Sequence, residues 1–177
     1  MLKLDDKYLR EKCVPFDFAN PPVTPHEFYW EMSAAMRKNK GMGLSANQVG
    51  HNFQMFVFGD FNDKELITGV FNPKIVDHSE EMVYIEEGCL SFPGLFIKIK
   101  RPKEIRIRFT DWGGNTDTFK FTGLTARLIL HEYDHLQGIT FQQRANRIHL
   151  DQARSQKKKL DRLRKKNISE RTERASV

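Results

Sequence analysis

The stretch His131-Glu132-Tyr133-Asp134-His135 constrains this chain more than any other. It sets two imidazoles four residues apart, with a carboxylate beside the first. On an α-helix, positions i and i+4 lie one above the other, so both rings can reach a single metal ion. Glu132 is then placed to work on a water at that ion without being a ligand itself. The flanks favour a helix. Leu124, Leu128, Tyr133 and Leu136 recur at roughly helical spacing after Thr122-Gly123, and Gly138 stands where a C-terminal glycine ends a helix.

A hydrolytic metal centre needs a third protein donor and an open position for water. Cys89, in Glu86-Glu87-Gly88-Cys89-Leu90-Ser91, is a candidate, since zinc and ferrous iron both accept a thiolate beside two imidazoles. The alternative for Cys89 is a small buried apolar residue, as most free cysteines are. The paired histidines also mark zinc endopeptidases, one branch of which continues through a glycine to a third histidine. Gly138 is present, but Phe141 occupies the histidine's place. A second branch needs a downstream Glu ligand, and the next Glu after Glu132 is Glu170, in a charged tail. The first peptidase branch is not matched, and the second is only weakly supported. In Gly41-Met42-Gly43-Leu44-Ser45-Ala46-Asn47-Gln48, alternate glycines let the backbone approach a ligand or simply turn. The lysine and hydroxyl of a phosphate loop are missing there, and Gln48 is either an amide donor for an oxyanion or a surface residue.

Together GMGLSANQ, EGCLSFPG and HEYDHLQG, in that order, resemble the peptide deformylases. The resemblance runs from about Tyr8 to Phe141. It implies that Cys89, His131 and His135 are metal ligands and that Glu132 is the general acid/base. It also implies that Gln48 and the backbone N–H of Leu90 bind the formyl oxygen, while Met42, Gly43 and Gly88 line the cleft beside an extended substrate. The implied reaction removes the formyl group from the N-terminal formyl-methionine of a nascent polypeptide and releases formate. One divalent ion is implied, natively Fe2+, with Zn2+, Ni2+ or Co2+ as other occupants. Several positions depart from the family pattern. Ser45 and Asn47 replace an Ala and a Pro or Thr, both small or polar and compatible with activity. Phe96 stands where an Arg is common, and Arg127 where an aliphatic pocket residue is common. Arg127 either narrows the methionine pocket or snorkels outward, and the second is expected.

The 177 residues fall within the roughly 100–200 expected of one domain, and 14 Phe supply much of a core. The two cysteines, Cys13 and Cys89, with no secretory signal and no apolar run near the ~18 residues of a membrane span, suit a cytoplasmic protein. Cys13 is read as packing. Thr24-Pro25-His26-Glu27 reads as a capping box opening a helix that ends near Asn39 to Gly41, with His26 exposed. Strands are expected at 54–58, 66–76, 82–87 and 105–109, the last joined to 116–121 as a hairpin. The fold class is α+β, with antiparallel or mixed sheets around a central metal-binding helix, an N-terminal helix and a basic C-terminal helix.

Residues 1–143 are expected to form the catalytic domain and 144–177 a basic helix and tail. From Arg144 onward 12 Lys or Arg face four Asp or Glu, whereas the whole chain carries only +6. A helix is expected through roughly 149–166 with the last ten residues frayed. Its charge suits either a solvated helix or attraction to a polyanion, and the resemblance implies the ribosome. Two functions follow: an active monomeric deformylase, or a catalytically weakened deformylase-like adaptor for ribosome or RNA.

Overall fold

The computed structural model describes residues 4–5 and 7–175, with side chains described as far as residue 168. The chain builds α1 (Pro25–Lys38), β1 (Gly43–Ser45), β2 (Met55–Gly59), β3 (Ile67–His78), β4 (Met82–Gly88) and β5 (Phe96–Pro102). It continues through β6 (Glu104–Thr110), β7 (Thr116–Thr122), α2 (Gly123–Leu136), α3 (Phe141–Arg144) and α4 (Arg147–Ala175). The α+β expectation holds. An antiparallel five-stranded sheet runs β1-β2-β3-β6-β7, and β4 and β5 form a separate two-stranded ribbon.

β2 explains the layering. Met55, Phe56, Val57 and Phe58 are all buried, so this strand is covered on both faces. Alternation sends Met55 and Val57 into a core shared with Phe28, Met32 and Met36 of α1. Phe56 and Phe58 enter a second core with Ile105, Ile107, Ile129 and Leu136, under α2. The sheet is therefore sandwiched between α1 and the histidine-bearing helix. A third core, Leu95, Ile97, Ile99, Phe141 and Ala153, joins β5 to α3 and α4. Each such large side chain, fully buried, contributes roughly 1.5–3 kcal/mol.

Local details correct three expectations. The capping box at Thr24 does not form, since Thr24 makes no side-chain cap bond. Pro25 at the first turn and the backbone bond from the Phe28 N–H to Thr24 O, at 2.9 Å, start α1 without it. α4 begins at Arg147 and runs to Ala175, past the expected end and through most of the supposedly frayed segment. No Gly or Pro interrupts 147–175, and helix-favouring Lys, Arg, Gln, Glu and Leu dominate it, so nothing local stops propagation; residues 176 and 177 lie outside the described residues. Arg127 does not snorkel outward, as described below. Cys13 is packing, as expected, and burial pushes its thiol up to about 11. His26 is exposed. No helix among the described residues is long and apolar enough to cross a membrane.

Candidate metal centre and active site

α2 enters from β7 through Gly123 (φ +60°) and leaves through Gly138 (φ +71°). A side chain at Gly138 would meet the Arg10 carbonyl at 2.8 Å, so both backbone torsion and space require glycine there. Between them His131 and His135 share the buried face. The half-buried Cys89, just past the end of β4, turns its Sγ to the same point, 3.3 Å from His135 Nε2. The donor atoms of Cys89, His131 and His135 all lie within 4.8 Å of one another, the one such Cys/His/Asp/Glu cluster among the described residues.

These three donors fit a divalent ion of borderline softness. His131 Nδ1 is held 2.9 Å from Glu87 Oε2, which orients the ring and leaves Nε2 as the nitrogen available to a metal. His135 Nδ1 is buried with no partner. Burial, the largest cause, holds the His135 imidazole well below its ordinary value, which favours the neutral form a ligand needs.

Glu132 is buried, and burial raises its carboxyl above the ordinary carboxylate range, against the attraction of His131 and a hydrogen bond from Ser45. Ser45 Oγ stands 2.5 Å from Glu132 Oε2. A Cβ at Gly43 would fall 2.5 Å from Oε1, so only glycine leaves room for this carboxylate. Gln48 closes the short 3-10 turn Ala46–Gln48. Its Oε1 accepts the Ser45 N–H at 2.9 Å, which turns its amide nitrogen toward Ser91 Oγ (3.1 Å) and Cys89 Sγ (3.6 Å). Asn47 anchors the same turn to α2 by donating to the His135 carbonyl at 2.6 Å. Met42, Gly43, Gln48, Gly88, Cys89, Leu90, His131 and Glu132 all line one open cleft of about 480 Å³. All the site residues expected from the sequence therefore meet. Phe96, 56 % exposed, stands on the cleft lip against Gly88.

A buried ionic network lies behind the donors. Arg101 grips Glu87 through Nε (2.7 Å) and Nη2 (3.0 Å), and reaches Asp134 through Nη1 (2.6 Å). Arg144 closes on the other side of Asp134 at 2.6 Å. Arg127, expected to point outward, is instead 4 % exposed. Its Nη1 donates to Glu87 Oε1 and to the Ile99 carbonyl, both at 2.8 Å, and its Nη2 donates to the Val83 carbonyl at 2.7 Å. A buried carboxylate 40 residues away is what retains the guanidinium. Burial alone would raise Glu87, yet hydrogen bonds from His131 and Arg101 bring it down to about 2. Sequence reading missed this network because its members are scattered. The one available signal was that Glu87 and Asp134 are acids inside the two metal-binding motifs. Phe141, the residue that replaces a peptidase's third histidine, is a core side chain 5.6 Å from the His131 ring, between centroids.

A paired-histidine helix with a thiolate donor, a buried carboxylate and an amide beside an open cleft defines a metallohydrolase-type centre. The family model for polypeptide deformylase matches residues 1–151. The chain is 39 % identical over 134 residues to peptide deformylase 1B, chloroplastic/mitochondrial, of Arabidopsis thaliana, covering 73 % of this chain and 48 % of that protein. It is 37 % identical over 136 residues to a peptide deformylase of Psychrobacter arcticus, covering 77 % and 74 %. Its fold matches the crystal structure of a peptide deformylase from Synechococcus elongatus in complex with actinonin, with a TM-score of 0.79, 32 % identity, and 88 % and 87 % coverage. The chain belongs to the polypeptide deformylase family. It spans about half the length of the plant relatives it matches.

Proposed function

We propose that this chain removes the formyl group from the N-terminal formyl-methionine of nascent polypeptides and releases formate. The observation that carries the reading is the meeting of three donor atoms within 4.8 Å, with Cys89 and His131 lining one cleft beside Glu132 and Gln48. In this reading Cys89, His131 and His135 hold one divalent ion, natively Fe2+, with Zn2+, Ni2+ and Co2+ as possible substitutes. When bound, such an ion supplies Lewis acidity, bringing the pKa of water down to about 7. Glu132 takes a proton from the attacking water and passes it to the amine nitrogen as the C–N bond breaks. The Gln48 amide and the Leu90 N–H receive the charge growing on the formyl oxygen, a role whose loss typically costs about 10²–10³ in rate. Met42, Gly43 and Gly88 bound the substrate chain. Burial raises the Glu132 carboxyl, which makes it a stronger proton acceptor than an ordinary carboxylate.

Residues 1–143 form the catalytic unit in this reading, and 144–177 are an appended basic helix. The chain acts as a cytoplasmic monomer whose α4 presents exposed Lys158, Lys159, Arg162 and Lys165 to ribosomal RNA phosphates. The adaptor reading gains no support, since every residue of the proposed machinery is assembled. Formate release from a formyl-Met peptide, with iron kept anaerobic, tests the activity. The wild type should turn over, and Glu132→Ala should bind metal without turnover. A wild type without formate release would refute the reading.

A further inference from the structure

β1 treats the two oxygens of Glu132 differently. Gly43 and Ser45 are two apart on one strand and face α2 together. The space left by Gly43 admits Oε1, while the Ser45 hydroxyl stands 2.5 Å from Oε2. A serine hydroxyl has one proton, and the Glu132 carbonyl, its other acceptor, is farther away at 3.2 Å. The proton therefore goes to the carboxylate. Ser45 is wholly buried, so no water competes for that bond. Its own N–H meanwhile fixes the carbonyl end of Gln48.

We infer that Ser45 is a positioning residue for proton transfer: its hydroxyl clamps Oε2 of Glu132 and thereby aims Oε1 into the cleft. A carboxylate joined to its helix by three rotatable bonds otherwise samples several orientations, few of them productive. Alanine at this position would lose the hydroxyl without changing the backbone. Here the residue gains a function that "small and polar" does not describe. The inference rests on the deformylase reading for its rate consequence, though not for its geometry.

The test separates the hydroxyl from its surroundings. Ser45→Ala should lower kcat about 10-fold, the scale of one charge-assisted hydrogen bond, with KM, metal content and melting temperature little changed. Ser45→Thr should retain more kcat than the isosteric Ser45→Val, which crowds the site equally but cannot donate. Because Ser45 also caps the Ala46–Gln48 turn, the loss should be repeated in a Gln48→Ala background. An additive loss places the effect on Glu132, whereas a loss that vanishes there places it on Gln48 and overturns the inference. Equal kcat for Ser45→Ala and wild type, or equal Thr and Val variants, also overturns it. Crystal structures of the metal-loaded wild type and Ser45→Ala give a readout independent of turnover. A Glu132 carboxylate that swings away in the variant supports the clamp, and an unmoved one refutes it, even if the wild type releases no formate.

Discussion

α2 and α4 are both long helices rich in charge, yet they handle that charge in opposite ways. On α2, Arg127, His131, Glu132, Asp134 and His135 are all buried. Burying charge is costly unless each group is paired, and here Arg127 and His131 are paired to Glu87, Asp134 to Arg101 and Arg144, and Glu132 to Ser45. On α4, Ala153 is the only buried residue among those with described side chains, and the helix's ion pairs Arg147–Asp151 and Lys157–Asp161 are partly or largely exposed. Pairs of that kind are worth about 0–1 kcal/mol. The first helix fixes charges in position, as chemistry requires. The second only accumulates a field, as attraction to a polyanion requires. Substitutions on the two helices should therefore differ in both size and kind.

The largest effect belongs to Glu132. Glu132→Ala should reduce formate release by about 10²–10⁴-fold or more while metal analysis finds the ion retained. A variant that keeps its turnover would sink the proton-transfer role.

Next comes Glu87. Glu87→Gln leaves Arg127 without a carboxylate in the interior and Arg101 with Asp134 alone, and should cost roughly 3–5 kcal/mol in urea unfolding. The pH dependence follows in sign. The folded carboxyl sits at about 2 against an ordinary 4.5, so its stabilisation is complete above 4.5. It is lost as pH falls from 4.5 toward 2. Wild-type melting temperature should drop through that window, and Glu87→Gln should show a shallower acid limb. Parallel acid limbs would mean that Glu87 is not the group responsible.

Arg127→Met should be milder, about 1–3 kcal/mol, because Glu87 keeps Arg101 and His131 while two strand carbonyls lose a donor. A change below a few tenths of a kcal/mol would restore the outward-pointing arginine.

On α4 the expected stability effect is smallest. Reversing Lys158, Lys159, Arg162 and Lys165 to Glu should shift stability by no more than about 0.5 kcal/mol. Ribosome affinity should nonetheless fall, along with its dependence on salt. Unchanged affinity would dismiss the polyanion role.

The sequence made α2 legible because its signals are local: paired histidines at helical spacing, a leucine periodicity and a terminal glycine. The hairpin of β6 and β7 was readable for the same reason, with strict alternation along β6 before a Gly-rich turn. β1 was not, since three residues carry no period. β5 was not among the expected strands, although Ile97, Ile99 and Arg101 alternate inward. The donors and Glu132 were visible as motifs. What supports them was not: Glu87, Arg101, Asp134 and Arg127 converge from three separate elements, and Ser45 meets Glu132 across 87 positions of chain. Long-range pairing is set by the fold, so a charged residue's partner cannot be read from its neighbours.

The central claim is that one sulfur and two imidazole nitrogens hold a single ion. X-ray absorption on protein purified anaerobically, with metal quantified per chain, addresses it directly. The expected result is one ion per chain with one sulfur at about 2.3 Å and two nitrogens at about 2.0–2.1 Å, the sulfur lost in Cys89→Ala. A spectrum with only nitrogen and oxygen scatterers, or no stoichiometric metal, would contradict it.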